Sequence, residues 1–586
     1  LTEIERLPGK ADIHMISLLR QIAGLPLIHQ ARRLARAFLA QTERADEIQR
    51  QVLARFVRRN AASRFGRNHR FDLIHDPDEF RRRVPIRDYA AHEPYIAQVR
   101  DGDPSALFGP GAEVLMFAMT SGTTAAPKTI PVTRESLHAY RESWKVWGIM
   151  AFDAHPEMLR HGLKPILQLV SDWRENHTSA GIPCGAITGL TAQMQHPLIR
   201  GTYCMPPASM AVKDIESKYY LALRLGLPKD VGAVMAANPG TLLGIARLGD
   251  RERETLLRDL AQGTVDKKWQ IPAPVRASVA RRVGKKRPAL VKRLEQVIAA
   301  SGGLYPMDYW PNLSFVANWT GGSMGMYLSH FPRWFGQTPV RDIGLIASEG
   351  RFTIPIEDHT ASGLLDISRH FFEFLPEEDA QRDVPDTVLA HELEIGRRYY
   401  VLPTTAGGLY RYQIHDLVKC TGYHGKAPLI EFLNKGSHFS SLAGEKLSEF
   451  HVVEAVDGAA RTLGISLSSS LLVPRWSDPP EYVLLVEQQE LEDRLAAPRL
   501  ADTVEINLCR INCEYENRRA TLRLGRVRVV PVAAGSWAAY QRRRLSQSGG
   551  TPEQYKQPRL VPDPAIYDDF ELIEPVPRAP ESSLAG

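Results

Sequence analysis

Cysteine is scarce and unpatterned. The five thiols, Cys184, Cys204, Cys420, Cys509 and Cys513, are odd in number and scattered through 586 residues. That excludes a disulfide framework, and no histidine near the closest pair completes a zinc site. Long apolar runs are also absent: Ile13 to Leu39 is broken by Arg and Gln and reads as an amphipathic helix rather than a membrane span. Leu1-Thr-Glu-Ile-Glu-Arg6 lacks the charged-then-apolar pattern of a secretion signal, so a reducing cytoplasm is the expected compartment. Charge of one sign is not concentrated. The net charge is +6, and the densest basic stretch, Arg276 to Arg293, is interleaved with Ala, Val and Leu at helical intervals and contains no aromatic residue. A solvated amphipathic helical pair is expected there, not a nucleic-acid track.

A chain of this length exceeds one core, so two or more domains are expected. Apolar content of 44% and charged content of 24% suit a globular enzyme. The first hundred residues repeat apolar positions at three and four, as at Val52, Leu53, Phe56 and Val57. Strand candidates then alternate with helical stretches: Val114 to Ala118, Pro165 to Val170, Leu313 to Ala317, Ile343 to Ala347, Arg398 to Pro403 and Leu417 to Thr421. This alternation predicts an α/β fold. A polar, glycine-bearing connector follows at Lys435 to Gly444, and beyond it a helix opening near Ser448, a strand at Tyr482 to Glu487, a polar helix near Ala501 to Tyr515 and a Val-rich strand at Arg526 to Val532 predict a small α+β domain.

Met119-Thr-Ser-Gly-Thr-Thr-Ala-Ala-Pro-Lys128 follows an apolar stretch directly. Gly122 lets backbone amides point into one concavity, Thr120, Ser121, Thr123 and Thr124 add hydroxyls, and Lys128 supplies a positive charge, a combination suited to a polyphosphate. It is not a Walker A loop, because Pro127 precedes the lysine and the second glycine is missing.

Three further segments follow in order: Leu345-Ile-Ala-Ser-Glu349; Leu409-Tyr-Arg-Tyr-Gln-Ile-His-Asp416; and Pro428-Leu-Ile-Glu-Phe-Leu-Asn-Lys435 with Gly444-Glu-Lys-Leu-Ser-Glu449. In this order and spacing the chain resembles the adenylate-forming enzyme superfamily and, within it, the auxin-responsive acyl-acid-amido synthetase family in its bacterial form. Ile130-Pro-Val-Thr133, Phe65-Gly-Arg-Asn-His69, Val84-Pro-Ile-Arg-Asp-Tyr89, Glu93-Pro-Tyr-Ile96 and Gln554-Tyr-Lys-Gln-Pro-Arg559 carry the resemblance over nearly the whole chain. It implies a large N-terminal adenylate-forming domain (1–434) with mixed sheets and helices, a hinge (435–445) and a small mobile α+β C-terminal domain (446–586). It also implies a monomer, without nucleic-acid or membrane partners, that uses ATP and Mg²⁺ to activate a carboxylic acid as acyl-AMP and passes the acyl group to an amino acid or related amine. Transfer to coenzyme A or a carrier-protein thiol is the nearest alternative, and a catalytically weakened nucleotide-binding regulatory protein is a third.

Carried over residue by residue, the resemblance gives Thr120, Ser121, Gly122, Thr123, Thr124 and Lys128 to the β- and γ-phosphates, Glu349 to Mg²⁺ with Ser348 beside it, and Asp416 to the ribose. Lys435 contacts ribose or phosphate, and Lys556 is the C-terminal lysine that balances charge during adenylation. Trp319, in Asn318-Trp-Thr-Gly-Gly-Ser323, is assigned to the acyl pocket. Each has a plainer alternative: Ser348-Glu349 as a helix cap, Asp416 as a surface turn, Lys556 as a helix-end charge and Trp319 as ordinary core. Four positions depart from the family pattern. Ala125 stands for a glycine, Leu345 for an aromatic that stacks on adenine, His415 for the glycine before Asp416 and Gln413 for a common arginine.

Overall fold

The computed structural model describes residues 10–573, apart from 121–127, 161, 329, 381, 383–384, 435–438, 466, 468, 492–494, 541–542, 544–557 and 571. The chain divides into two compact units, the first ending at Leu433 and the second beginning at Asn434.

In the first unit, helices α1 (Lys10–Gln41), α2 (Ala45–Asn60) and α3 (Tyr89–Arg100) precede the first strands. The predicted stripe of α2 is buried at Gln49, Val52, Leu53, Phe56 and Val57. Gln49 fixes the helix to a sheet: its amide group donates to the carbonyls of Ile367 and His370 (2.6 and 2.7 Å) and accepts from the Phe372 amide (2.8 Å). Strands β1 (Val114–Thr120) and β2 (Lys128–Thr133) pair antiparallel, with Thr120 opposite Lys128. Met116, Phe117 and Ala118 are fully buried, as in a strand covered on both faces. Thr133 ends β2 and caps helix α4 (Arg134–Ala154) through a reciprocal capping box with Ser136.

Strands β3 (Ile166–Gln168), β4 (Ala233–Met235), β5 (Phe315–Asn318) and β6 (Val340–Asp342) form a parallel sheet in that order. Asn318 and Asp342 are register partners at its carboxyl edge, the edge where open parallel sheets bind ligands. The strand expected at Ile343 to Ala347 is interrupted. β6 ends at Asp342 and the chain turns at Gly344, whose φ is +90° and where a Cβ would meet the Thr353 carbonyl oxygen at 2.3 Å. Only glycine fits there. A short hairpin follows, β7 (Ile346–Ala347) with β8 (Gly350–Arg351).

The rest of the unit is a seven-stranded sheet of β9 (Thr353–Ile354), β10 (Ser362–Leu365), β11 (Phe371–Pro376), β12 (Val388–Leu389), β13 (Arg398–Thr404), β14 (Leu417–His424) and β15 (Ala427–Asn434), ordered β9-β10-β15-β14-β13-β11-β12. The strands expected at Arg398 and Leu417 are its β13 and β14. The basic stretch at Arg276 to Arg293 falls in two helices, Ala273–Val283 and Pro288–Ser301, as expected.

The second unit opens with paired two-residue strands, Phe439–Ser440 and Leu447–Ser448. The Glu445 carboxylate between them is fully buried and accepts from the amides of Leu442 and Ala443 and from the Tyr482 hydroxyl (2.6, 2.7 and 2.5 Å). Ser448 then caps helix α5 (Glu449–Leu463). A three-stranded sheet, β16 (Leu471–Arg475), β17 (Glu481–Glu487) and β18 (Arg528–Val532), and helix α6 (Ala496–Ile511) complete the expected α+β pattern. The predicted polar helix begins earlier than Ala501 and is broken at Asn512, which caps Cys513–Ala520. Among the described residues, no helix is long and apolar enough to cross a membrane.

Candidate active site

Ser348 and Glu349 are the two turn residues between β7 and β8. The Ser-Glu pair therefore ends no helix; it is presented by a hairpin. Glu349 is only 8% exposed. The Tyr412 hydroxyl donates to its carboxylate, and burial with the Glu349 charge beside it pushes the Tyr412 phenol well above its ordinary value. Tyr412 is thus a permanent donor towards Glu349.

Tyr412 is placed by backbone and by charge. Arg87 and Tyr412 form a parallel bridge: the Arg87 amide donates to the Arg411 carbonyl (3.3 Å), and the Gln413 amide to the Arg87 carbonyl (2.8 Å). Arg411 is buried and forms a bidentate pair with Glu373 of β11, Nε to Oε2 at 2.8 Å and Nη2 to Oε1 at 3.1 Å. Its remaining donors reach the Val84 and Arg81 carbonyls (2.8 and 3.2 Å) and the Thr387 hydroxyl (3.3 Å). A carboxylate met by a full fork of donors is held in one geometry.

At the far end of this segment, Asp416 is 2% exposed and its backbone carbonyl accepts from the Val401 amide (3.0 Å). His415 before it has φ +63°, the left-handed region that glycine adopts freely. A side chain held in that region costs about 1–2 kcal/mol. Leu345 is partly buried, and its amide donates to the Thr353 hydroxyl (2.8 Å).

The bridge at Arg87 carries Tyr89 towards the same place. Glu349, Tyr89 and Asp88 are the ionisable neighbours that oppose loss of the Tyr412 proton. The Lys128 ammonium lies 5.4 Å from the centre of the Tyr89 ring, a cation–π contact. The Tyr89 oxygen accepts from the Thr129 amide (3.0 Å), and burial with a hydrogen bond to Glu93 raises its phenol to about 12. Lys128, Tyr89, Tyr412 and Glu349 therefore form one continuous series. Tyr89 and Tyr412 were present in the motif runs Val84–Tyr89 and Leu409–Asp416 but had been given no role; a tyrosine within two residues after an arginine in each run was the available signal.

Trp319 follows β5. Its indole N–H donates to the Gly344 carbonyl (2.9 Å), and its amide to the Ala237 carbonyl (2.9 Å). It is partly buried against both apolar cores of this unit, so the core alternative holds for its packing, while its position at the carboxyl edge of the parallel sheet keeps it beside the segment leading to Glu349. Thr120 ends β1 opposite Lys128. Ser121, Gly122, Thr123, Thr124, Lys435 and Lys556 lie outside the described residues, as does Ala125.

Glu349 as a single carboxylate suits Mg²⁺, which takes one or two protein carboxylates and completes its octahedron with phosphate oxygens and water. Among the described residues no cluster of three or more His, Cys, Asp or Glu could hold a metal by itself. An open cleft of about 560 Å³ near the other end of the β1–β2 hairpin is lined by Arg59, Arg134, His138 and Arg141. Those side chains are already engaged by Glu135, Glu113, Glu142 and the Met194 carbonyl, and no functional side chain named above lines it.

Comparison with known proteins bears on this arrangement. Residues 34–340 match the GH3 family N-terminal domain, 363–435 the GH3 family central domain and 450–565 the GH3 family C-terminal domain. The chain is 26% identical over 576 residues to the probable indole-3-acetic acid-amido synthetase GH3.12 of Oryza sativa subsp. japonica, covering 89% of this chain and 92% of that one. It is 26% identical over 556 residues to the jasmonoyl–L-amino acid synthetase GH3.5 of the same plant, covering 89% and 93%. Its fold is similar to that of the GH3.15 acyl acid amido synthetase, with a TM-score of 0.62, 22% identity and coverage of 91% of this chain and 95% of that one.

Proposed function

The chain belongs to the GH3 family, and we propose that it is an ATP-dependent ligase that activates a carboxylic acid and joins it to an amino acid or related amine. The observation that carries the reading is the Glu349 carboxylate, presented on a hairpin turn and held by the Tyr412 hydroxyl, in series with Tyr89 and Lys128.

In the first step an acid carboxylate oxygen attacks the α-phosphorus of ATP, the bond to the β-phosphate oxygen breaks, and pyrophosphate leaves. Thr120 to Thr124 and Lys128 hold the β- and γ-phosphates, and Lys128 offsets the charge growing on the leaving group. Mg²⁺ bound at Glu349, with Ser348 beside it, would neutralise phosphate charge during this step. Asp416 accepts from the ribose hydroxyls, Lys435 contacts ribose or phosphate, Lys556 balances the charge that develops in adenylation, and Trp319 borders the acid. In the second step the amine nitrogen attacks the acyl carbon, the acyl–phosphate bond breaks, AMP leaves and the amine releases a proton.

We further propose residues 435–445 as the hinge between the two half-reactions. From the resemblance we also propose a monomer of the bacterial form that acts in the cytoplasm without nucleic-acid or membrane partners.

The deciding experiment is exchange of labelled pyrophosphate into ATP without amine, over a panel of aromatic, aliphatic and hydroxylated acids. Exchange that depends on one acid class is the expected result; silence over the panel refutes the reading. Asp416→Ala should weaken ATP binding about ten- to a hundredfold, the worth of about 1.5–3 kcal/mol of charge-assisted bonding. Calorimetric titration with ATP checks this, and an unchanged affinity removes Asp416 from the nucleotide.

A further inference from the structure

Asp342 ends β6 and is buried, at 4% exposure. One oxygen, Oδ2, accepts from both the amide and the hydroxyl of Thr320 (2.6 and 2.6 Å), and the other, Oδ1, accepts from the Gly344 amide (2.5 Å). The turn after β5 and the segment after β6 are thereby tied to one carboxylate. The tie is doubled by the Trp319 indole donating to the Gly344 carbonyl. From Gly344 the chain runs directly into the hairpin that presents Ser348 and Glu349.

We propose that Asp342 is a positioning residue that locks the Trp319–Thr320 turn to the Gly344–Leu345 segment and so sets the affinity for the acid substrate. This rests on the acid-activating reading above. Three donors converge on Asp342, yet among the described residues none of its hydrogen bonds comes from a cation. The groups around it leave the carboxylate free for these donors. Arg351 of β8 is the facing positive charge, but its own bonds go to the Ile343 and Thr353 carbonyls (2.6 and 3.2 Å), and its guanidinium lies over Trp144 and Trp147 of α4. Tyr140 and Asp366 face Arg351 from the other side. Arg341, the neighbour on β6, is paired with Asp358, which also binds His155. Trp147 reaches only the Asp342 backbone carbonyl (2.9 Å).

Burial raises the Asp342 carboxyl to about 6, against the pull of its three donors. Below that pH one oxygen carries a proton and becomes a donor, facing groups that are themselves donors. The Thr320 hydroxyl can rotate to accept, but the amides of Thr320 and Gly344 cannot. The lock therefore loosens as pH falls through about 6 and is intact above it.

The test measures acid-dependent pyrophosphate exchange from pH 5 to 8, together with tryptophan fluorescence in the wild type and in Trp319→Phe, whose difference isolates Trp319. The wild type should show the KM for the acid rising about threefold as pH falls to about 5.5, on the way to a limit of about tenfold at lower pH, with kcat changing much less, a limit the size of one charge-assisted bond. Asp342→Asn should have the raised KM already at pH 7.5 and no pH dependence, and the Trp319 signal should lose its midpoint near 6. An Asp342→Asn protein with wild-type KM and pH profile overturns the proposal, as does a Trp319 signal in the wild type that is flat between pH 5 and 8. If exchange is silent with every acid but the midpoint is present and Asp342-dependent, the function assigned above fails while the lock stands. Should Asp342→Asn not fold, Thr320→Val decides: it removes one donor, and a KM equal to wild type refutes the lock.

Discussion

Glu349→Gln is expected to lower pyrophosphate exchange by about 10²–10³-fold while leaving the melting temperature of the protein unchanged. The substitution keeps the volume of the side chain and leaves an amide oxygen able to accept from Tyr412, so the hairpin and its neighbours lose no packing. What disappears is the negative charge. Mg²⁺ dehydrates reluctantly and binds weakly to a neutral amide, so the loss should be partly recovered at high Mg²⁺ concentration. Exchange at the wild-type rate in the variant would take Glu349 out of the site, and a fall in melting temperature matching the loss of activity would make its role structural. Tyr412→Phe should fall between the two proteins, because it frees the carboxylate to rotate without discharging it.

Arg411→Met is expected to destabilise the first unit by about 3–5 kcal/mol, the usual consequence of removing one member of a buried pair. For a unit of this size that corresponds to a fall in melting temperature of roughly 3–6 °C. Glu373, fully buried, would keep only the Arg81 guanidinium at 3.0 Å and the Thr387 hydroxyl at 2.8 Å. Five hydrogen bonds from Arg411 now fix the chain between Tyr410 and Tyr412. Exchange should therefore fall further than stability alone accounts for, since Tyr412 and Asp416 both depend on that path. Replacing Glu373 as well, by Gln, should recover much of the stability but not the activity. Differential scanning calorimetry alongside exchange separates the two, and a single variant as stable as the wild type would show that the pair contributes nothing net.

The sequence and the structure agree best where a single periodicity decides the outcome. The α2 stripe, the buried run Met116 to Ala118 and the Ser448 cap were all legible because local pattern and tertiary environment ask for the same residue. The strand proposed at Ile343 to Ala347 failed for an equally specific reason. Its apolar residues satisfy a strand pattern, but Gly344 at φ +90° breaks it, and the need for that break lies in Thr353, nine residues further on. Glu349 and Asp416 were proposed from motif order, whereas Tyr412, Tyr89 and Asp342 were not assigned. Their roles arise from pairings between segments: Arg87 with Tyr412, and Asn318 with Asp342. No spacing along the chain encodes those pairings. The departure at His415 was visible as a letter, but its left-handed backbone angle was not.

The bridge between Arg87 and Tyr412 also constrains how the molecule is made. Phe65 stacks on Tyr410 at 4.7 Å between ring centres, and Phe71 meets the same ring edge-on at 5.1 Å. During synthesis these rings emerge roughly 340 residues before the tyrosine that covers them. At typical translation speeds of about 5–20 residues per second, that interval is roughly 17–70 s. For that time the nascent amino-terminal segment carries aromatic surface whose native cover has not yet been synthesised. A ribosome-bound chain stopped short of Tyr410 is therefore expected to recruit apolar-binding chaperones, and one extended past β14 to release them.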